Sequence, residues 1–136
     1  MNNSRFAISL HILTLLDKFP DTLLSSDYMA GSINIHPVLV RAETGNLRKK
    51  GLVSSKRGKA GGFYLKRPAN EILLSEVYRA AQQSPLLGQN KNIPNSECEV
   101  GKQINQHLED LSNRAEEALI MELSQITLSD FCKRFE

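Results

Sequence analysis

Nine basic side chains, Arg41, Arg48, Lys49, Lys50, Lys56, Arg57, Lys59, Lys66 and Arg67, fall within residues 34–67, where Glu43 is the one acidic residue. The rest of the 136-residue chain has the opposite balance, eight basic against fourteen acidic residues, so the net charge of +2 conceals a segregation of sign. A local excess of this size predicts a polyanion-binding face on an otherwise acidic body. Other chemistries lack their residues. The Gly-rich run Arg57-Gly58-Lys59-Ala60-Gly61-Gly62 matches neither phosphate-cradling glycine pattern, and the sequence pairs no nucleophile with a base. Two cysteines, Cys98 and Cys132, repeat no metal-ligand spacing and build no disulfide framework. The chain is therefore not expected to be an enzyme.

The elements that must hold the basic residues can be placed in order. Pro37 suits a first helical position, Gly51 a left-handed stop, and Lys49 and Lys50 the last turn, so a helix is expected over 37–50. Leu52 to Lys56 and Phe63 to Leu65 read as two strands around the Gly-rich turn, with Gly61 and Gly62 supplying positive φ for the reversal. Upstream, Ser4 opens a helix that ends before Pro20, and a short helix capped by Ser25 or Ser26 runs to Gly31 or Ser32. Ile33-Asn34-Ile35-His36 is then the turn between two helices. A basic helix after such a turn, followed by a basic hairpin, is the layout of a winged helix-turn-helix. The expected class is mainly α with a small β-hairpin.

That layout assigns roles. Residues at the start of the third helix, His36, Pro37, Val38 and Arg41, should meet base edges, with Arg41 bidentate on a guanine. Val38 suits a thymine methyl or ordinary packing. Ser26 suits a phosphate oxygen or a capping role. Lys56 and Lys59 are expected on phosphates, Arg57 in a minor groove, and Arg48 and Lys49 are further expected DNA contacts. Arg5 reads either as a phosphate contact or as a solvated side chain, and His11, on the apolar stripe of the first helix, as a core or boundary residue. Glu43 reads as one half of a surface ion pair or as an acceptor for a cytosine amino group, and Gly45 as an interior helix glycine costing about 1 kcal/mol.

Asn34 to Arg41, Leu47 to Val53 and Arg57 to Leu65, taken in that order, resemble the bacterial Rrf-two family of winged-helix transcription regulators, the relatives of IscR, NsrR and CymR. The likeness extends to Asn3 to Ala7, Leu74 to Tyr78 and Cys98 to Lys102, and is greatest to the YwnA-like members with few cysteines. Glu43 and Thr44 depart from it, since relatives usually carry apolar residues there. The resemblance implies a sequence-specific, double-stranded-DNA-binding regulator acting as a repressor. The amphipathic helix expected over 100–124 implies a homodimer, since in the family this arm crosses its counterpart. Two symmetric heads would read a pseudo-palindromic operator. The alternatives are an RNA-binding winged domain and a protein-interaction adaptor, but only Phe63 and Tyr64 offer aromatic stacking in the basic segment.

The expected organisation is a winged helix-turn-helix domain over 1–83, a flexible connection over 84–99, and a dimerisation helix with a short final helix over 100–136. Thr127 and Asp130 form the expected cap of that final helix, which Phe131 and Phe135 would dock on the dimer or on the head. Family members that hold an iron-sulfur cluster group three cysteines before the arm, and this chain has Cys98 alone there. No cofactor and no metal are therefore expected. Cys98 remains a possible sensor, a buried structural thiol or a remnant ligand; Glu97 and Glu99 beside it should disfavour the thiolate. No segment has the length of a membrane span or the layout of a signal peptide, so the expected location is cytoplasmic, with no membrane partner. The effector is not legible.

Overall fold

The computed structural model describes residues 4–82 and 84–136; Asn3 and the expected domain boundary at residue 83 lie outside them. In chain order the elements are α1 (Ser4–Lys18), α2 (Ser26–Ile33), α3 (Pro37–Lys49), β1 (Val53–Lys56), β2 (Gly62–Leu65), α4 (Leu74–Ala81), α5 (Ile104–Leu123) and α6 (Leu128–Cys132). Short 3-10 turns occupy Ala69–Glu71 and Lys133–Phe135. The fold is mainly helical with one two-stranded antiparallel hairpin.

Local chemistry sets the boundaries around α2 and α3. Ser25 caps α2 by accepting the Tyr28 N–H at 3.1 Å, which makes Ser26 its first helical residue. Asn34 ends α2 in the left-handed region, φ 64°, and a short polar side chain tolerates that conformation better than most. His36 then caps α3, its Nδ1 accepting the Val38 N–H at 3.1 Å, and Pro37 stands just inside the helix. At the far end the chain reverses through Gly51, φ 78°.

In the hairpin Val53 pairs with Leu65, Ser54 with Tyr64, Ser55 with Phe63 and Lys56 with Gly62. Leu24 adds a third backbone partner on the outer edge, exchanging hydrogen bonds with Phe63 at 2.8 and 3.2 Å. The turn works differently from the sequence expectation. Positive φ falls at Gly58, 112°, and at neither Gly61 nor Gly62. Those two are small because backbone passes close by: a Cβ on Gly61 would collide with the Lys56 carbonyl oxygen, and one on Gly62 would lie 2.7 Å from that of Leu24.

The core is drawn from every element of the head. Ile12, Leu13 and Leu16 of α1, Met29 and Ala30 of α2, Val40 and Leu47 of α3, Leu52 and Val53 at β1, and Leu74 and Val77 of α4 are all buried. The chain divides into two units, one formed by residues up to 82 together with 123–136, the other by 84–122. The final segment, grouped with the arm in the sequence reading, thus packs within the head. Leu128 and Cys132 are buried there, and the Leu128 N–H donates to the Ile72 carbonyl while the Leu74 N–H donates to that of Ile126. Two apolar anchors and a backbone bridge tie it down. Thr127 and Asp130 cap α6 reciprocally, at 3.0 and 3.1 Å.

Within the second unit, α5 buries Ser112 alone among its residues, with Ile104, Leu111 and Met121 exposed. Among the described residues no helix is long and apolar enough to cross a membrane.

Candidate nucleic-acid interface

α3 separates its residues by side. Val40, Glu43, Thr44 and Leu47 face inward and are buried, whereas His36, Val38, Leu39, Arg41, Arg48 and Lys49 are exposed. Val38 is 54% exposed, so it does not pack in the head. Because His36 Nδ1 accepts from the backbone, its neutral tautomer carries the proton on Nε2 and presents a donor. Pro37 is half-buried and contributes rigidity to the helix start.

The wing supplies the rest of the basic set. Lys56, Arg57 and Lys59 are all exposed at the end of the hairpin farthest from the Val53–Leu65 pair. Arg48 links the two elements: its guanidinium donates to the Ser55 hydroxyl on β1 at 3.0 Å. Among the described residues Arg41, Lys49, Lys56, Arg57 and Lys59 take part in no ion pair. Their charge is available to a ligand.

Two basic side chains are used internally. Arg67 donates to Glu76 at 2.7 Å, and this contact raises the guanidinium pKa while holding the Glu76 carboxyl below its ordinary range. The Glu76 carboxylate also accepts the Leu73 N–H at 2.9 Å, closing the start of α4. Arg5 donates through Nε to both oxygens of Glu43, at 2.8 and 3.1 Å, and the Ser9 hydroxyl adds a third bond at 3.2 Å. Neither reading of Glu43 as a surface pair or a cytosine acceptor therefore holds, because the carboxylate is only 6% exposed and faces α1. A legible signal existed: Glu43 sits between Val40 and Leu47 at inward helical spacing, where a carboxylate requires a cation. Asn46 was also missed; its side-chain amide donates to the Ala80 carbonyl at 2.7 Å and ties α3 to α4.

His11 is half-buried, its Nε2 lies 3.0 Å from the Ser32 hydroxyl, and burial lowers its pKa. The cysteines lie in different units and contrasting environments. Cys98 is exposed, so the reading of it as a buried structural thiol does not hold. Backbone N–H groups of Gly101 and then Val100 lower its pKa, the opposite of the direction expected from Glu97 and Glu99. Cys132 is buried beside Asp17, and desolvation first, then that carboxylate, push its pKa up to about 12. Among the described residues no three His, Cys, Asp or Glu side chains gather as metal ligands.

The Rrf2 family profile, described as an iron-dependent transcriptional regulator, matches residues 2–134. A candidate HTH-type transcriptional regulator of Bacillus subtilis (strain 168), YwnA, is 39% identical over 130 residues, covering 96% of each chain. Among solved structures, a candidate DNA-binding protein superimposes with a TM-score of 0.73 at 34% identity, over 94% of this chain and 98% of its own. CymR of Staphylococcus aureus does so with a TM-score of 0.67 at 25% identity, over 95% of both chains. The iron in the family's description finds no fit here, since Cys98 stands alone in its unit and Cys132 is enclosed in the head.

Proposed function

We propose, from the premise that this chain belongs to the Rrf2 family of transcriptional regulators, that it binds double-stranded DNA in a sequence-specific way and represses transcription from the cytoplasm. The observation that carries this reading is the outward side of α3, where Arg41 and Val38 stand exposed, together with the exposed Lys56, Arg57 and Lys59 of the wing that Arg48 ties to the helix through Ser55. In this reading α3 enters the major groove. Arg41 grips a guanine edge, Val38 meets a thymine methyl, and His36 offers its Nε2 proton. The start of α2, at Ser26, lies along a phosphate. Arg48, Lys49, Lys56 and Lys59 neutralise the backbone, and Arg57 enters the minor groove.

The same reading includes a homodimer joined through α5. Ile104, Leu111 and Met121, exposed at 38%, 56% and 68%, leave an apolar helix side uncovered in a single chain. A twofold pair of heads would place half-sites about 34 Å apart, one duplex turn. Repression follows if the dimer occupies a promoter and excludes polymerase.

Two measurements test this reading. Sedimentation equilibrium should give twice the chain mass, and Leu111→Glu should shift the population to monomer; a monomeric wild type at tens of micromolar would refute the dimer. Binding to duplex DNA should weaken steeply with salt, with a log–log slope of about −5 to −9 for six to ten neutralised phosphates. Equal preference for single-stranded RNA would favour an RNA-binding domain, and no salt-dependent binding to either polymer would favour an adaptor.

A further inference from the structure

Half of the buried positions that seat α3 against the head are polar. Of the four only Val40 and Leu47 are hydrocarbon. Thr44 donates its hydroxyl to the Arg41 carbonyl in the same helix, at 3.0 Å, so its polar group makes no bond to another element. The polar contact with α1 at the middle of the helix is made by Glu43, whose carboxylate is held by Arg5 and Ser9. Asn46 makes the corresponding polar contact to α4.

Polar and apolar seats constrain a helix differently. Hydrocarbon contact is non-directional and tolerates small rotations, whereas hydrogen bonds weaken steeply with angle. Arg41 precedes Glu43 by two residues, about 200° around the helix, so the two side chains leave α3 on nearly opposite sides. Any roll that carries Glu43 relative to Arg5 swings Arg41 by the same angle. With side-chain tips about 5–6 Å from the axis, a roll of about 10° moves the guanidinium ~1 Å. A productive constellation tolerates about 0.5 Å.

We propose that the Arg5–Glu43–Ser9 cluster fixes the roll of α3 and thereby sets base discrimination by Arg41. Arg5, Glu43 and Ser9 are positioning residues that act through α3 and make no contact with DNA. The effect belongs to specificity more than to stability, because a well-packed apolar pair often replaces a buried ion pair without loss of fold. This inference rests on the DNA-reading function proposed above.

The test compares the full-length wild type, Arg5→Met/Glu43→Leu and Ser9→Ala on two duplexes of equal length. One is the motif selected by the wild type and the other a permutation of it. The double variant removes both charges together and leaves none buried alone; circular dichroism and thermal melting report its fold. The expected result is a folded double variant whose motif-to-permuted affinity ratio falls about tenfold. Its affinity for the permuted duplex and its salt slope should stay unchanged. Ser9→Ala, which removes only the 3.2 Å bond, should lose about two- to threefold and carries the test if the double variant fails to fold. Unchanged ratios overturn the proposal. So does an equal loss on both duplexes with a shallower salt slope, which would make Arg5 a phosphate contact. A wild type that prefers no sequence would strike the DNA-reading function itself and the inference with it.

Discussion

Arg41 and Lys59 are both exposed and take part in no ion pair among the described residues, yet their removal should have different signatures. Arg41→Ala should lower preference for the selected motif by about 1–3 kcal/mol, because a bidentate base contact discriminates. Lys59→Ala should weaken all duplexes alike and reduce the salt slope by about one. Fluorescence anisotropy over a salt series separates the two; a Lys59 variant that changes sequence preference would contradict these assignments. The thiols offer a second contrast. Cys98, exposed and receiving two backbone N–H groups, should be alkylated first, with a rate that rises through a midpoint below that of an ordinary thiol. Cys132 should stay unreactive until the head unfolds, since burial pushes its pKa to about 12. Mass spectrometry after timed iodoacetamide treatment at several pH values reads both. Neighbouring glutamates were a poor guide to Cys98 because folding brings main-chain donors onto its sulfur, and a sequence shows nothing of those.

At the scale of elements, glycine positions make the sharpest predictions. Gly45 lies inside α3 with nothing within 4 Å of the place a methyl would take, so Gly45→Ala should stabilise the head by about 0.5–1 kcal/mol, visible as a higher Tm. Gly61→Ala should do the reverse, by about 1–3 kcal/mol, because its Cβ would enter the Lys56 carbonyl. It should also weaken binding to every duplex by displacing the wing. The start of α4 is sensitive to acid. Glu76 is held below the usual carboxylate range first by its bond to Arg67 and also by the Leu73 N–H. A depressed folded pKa contributes stability that is present above the unfolded value and is lost as pH falls through the folded one. Glu76→Gln should therefore cost about 1 kcal/mol or less near neutrality, the pair being part-exposed, and nothing once the carboxyl is protonated. Urea titrations at about pH 7 and about pH 3 test the convergence. Element types were legible because caps and periodicity are local: Ser25, Pro37 and Thr127 stand at or beside the starts they signal. The turn glycines were misjudged because close backbone approach depends on the folded path of the chain, at Gly61 on the turn closing over Lys56 and at Gly62 on the distant segment at Leu24.

For the whole molecule, charge segregation was legible from residue counts, and Arg41, Lys49, Lys56, Arg57 and Lys59 within residues 34–67 are exposed. What the sequence concealed were contacts spanning more than thirty residues, such as Arg5 to Glu43, which withdraws a basic side chain from the candidate interface, and Asn46 to Ala80. The sequence left residues 123–136 open between the dimer and the head for the same reason, since Leu128 and Cys132 find their partners in the head. The account's central claim is that an exposed α3 reads sequence through Arg41 while the wing supplies affinity. The most direct test is selection of bound fragments from random duplex DNA at one stated salt concentration, with wild type and Arg41→Ala in parallel. The account predicts a pseudo-palindromic motif for the wild type, with half-sites about one duplex turn apart. The variant should lose preference at a guanine in each half-site while still retaining bulk DNA. A folded, dimeric wild type that enriches no motif, or an Arg41 variant that enriches the same motif as strongly, would contradict it.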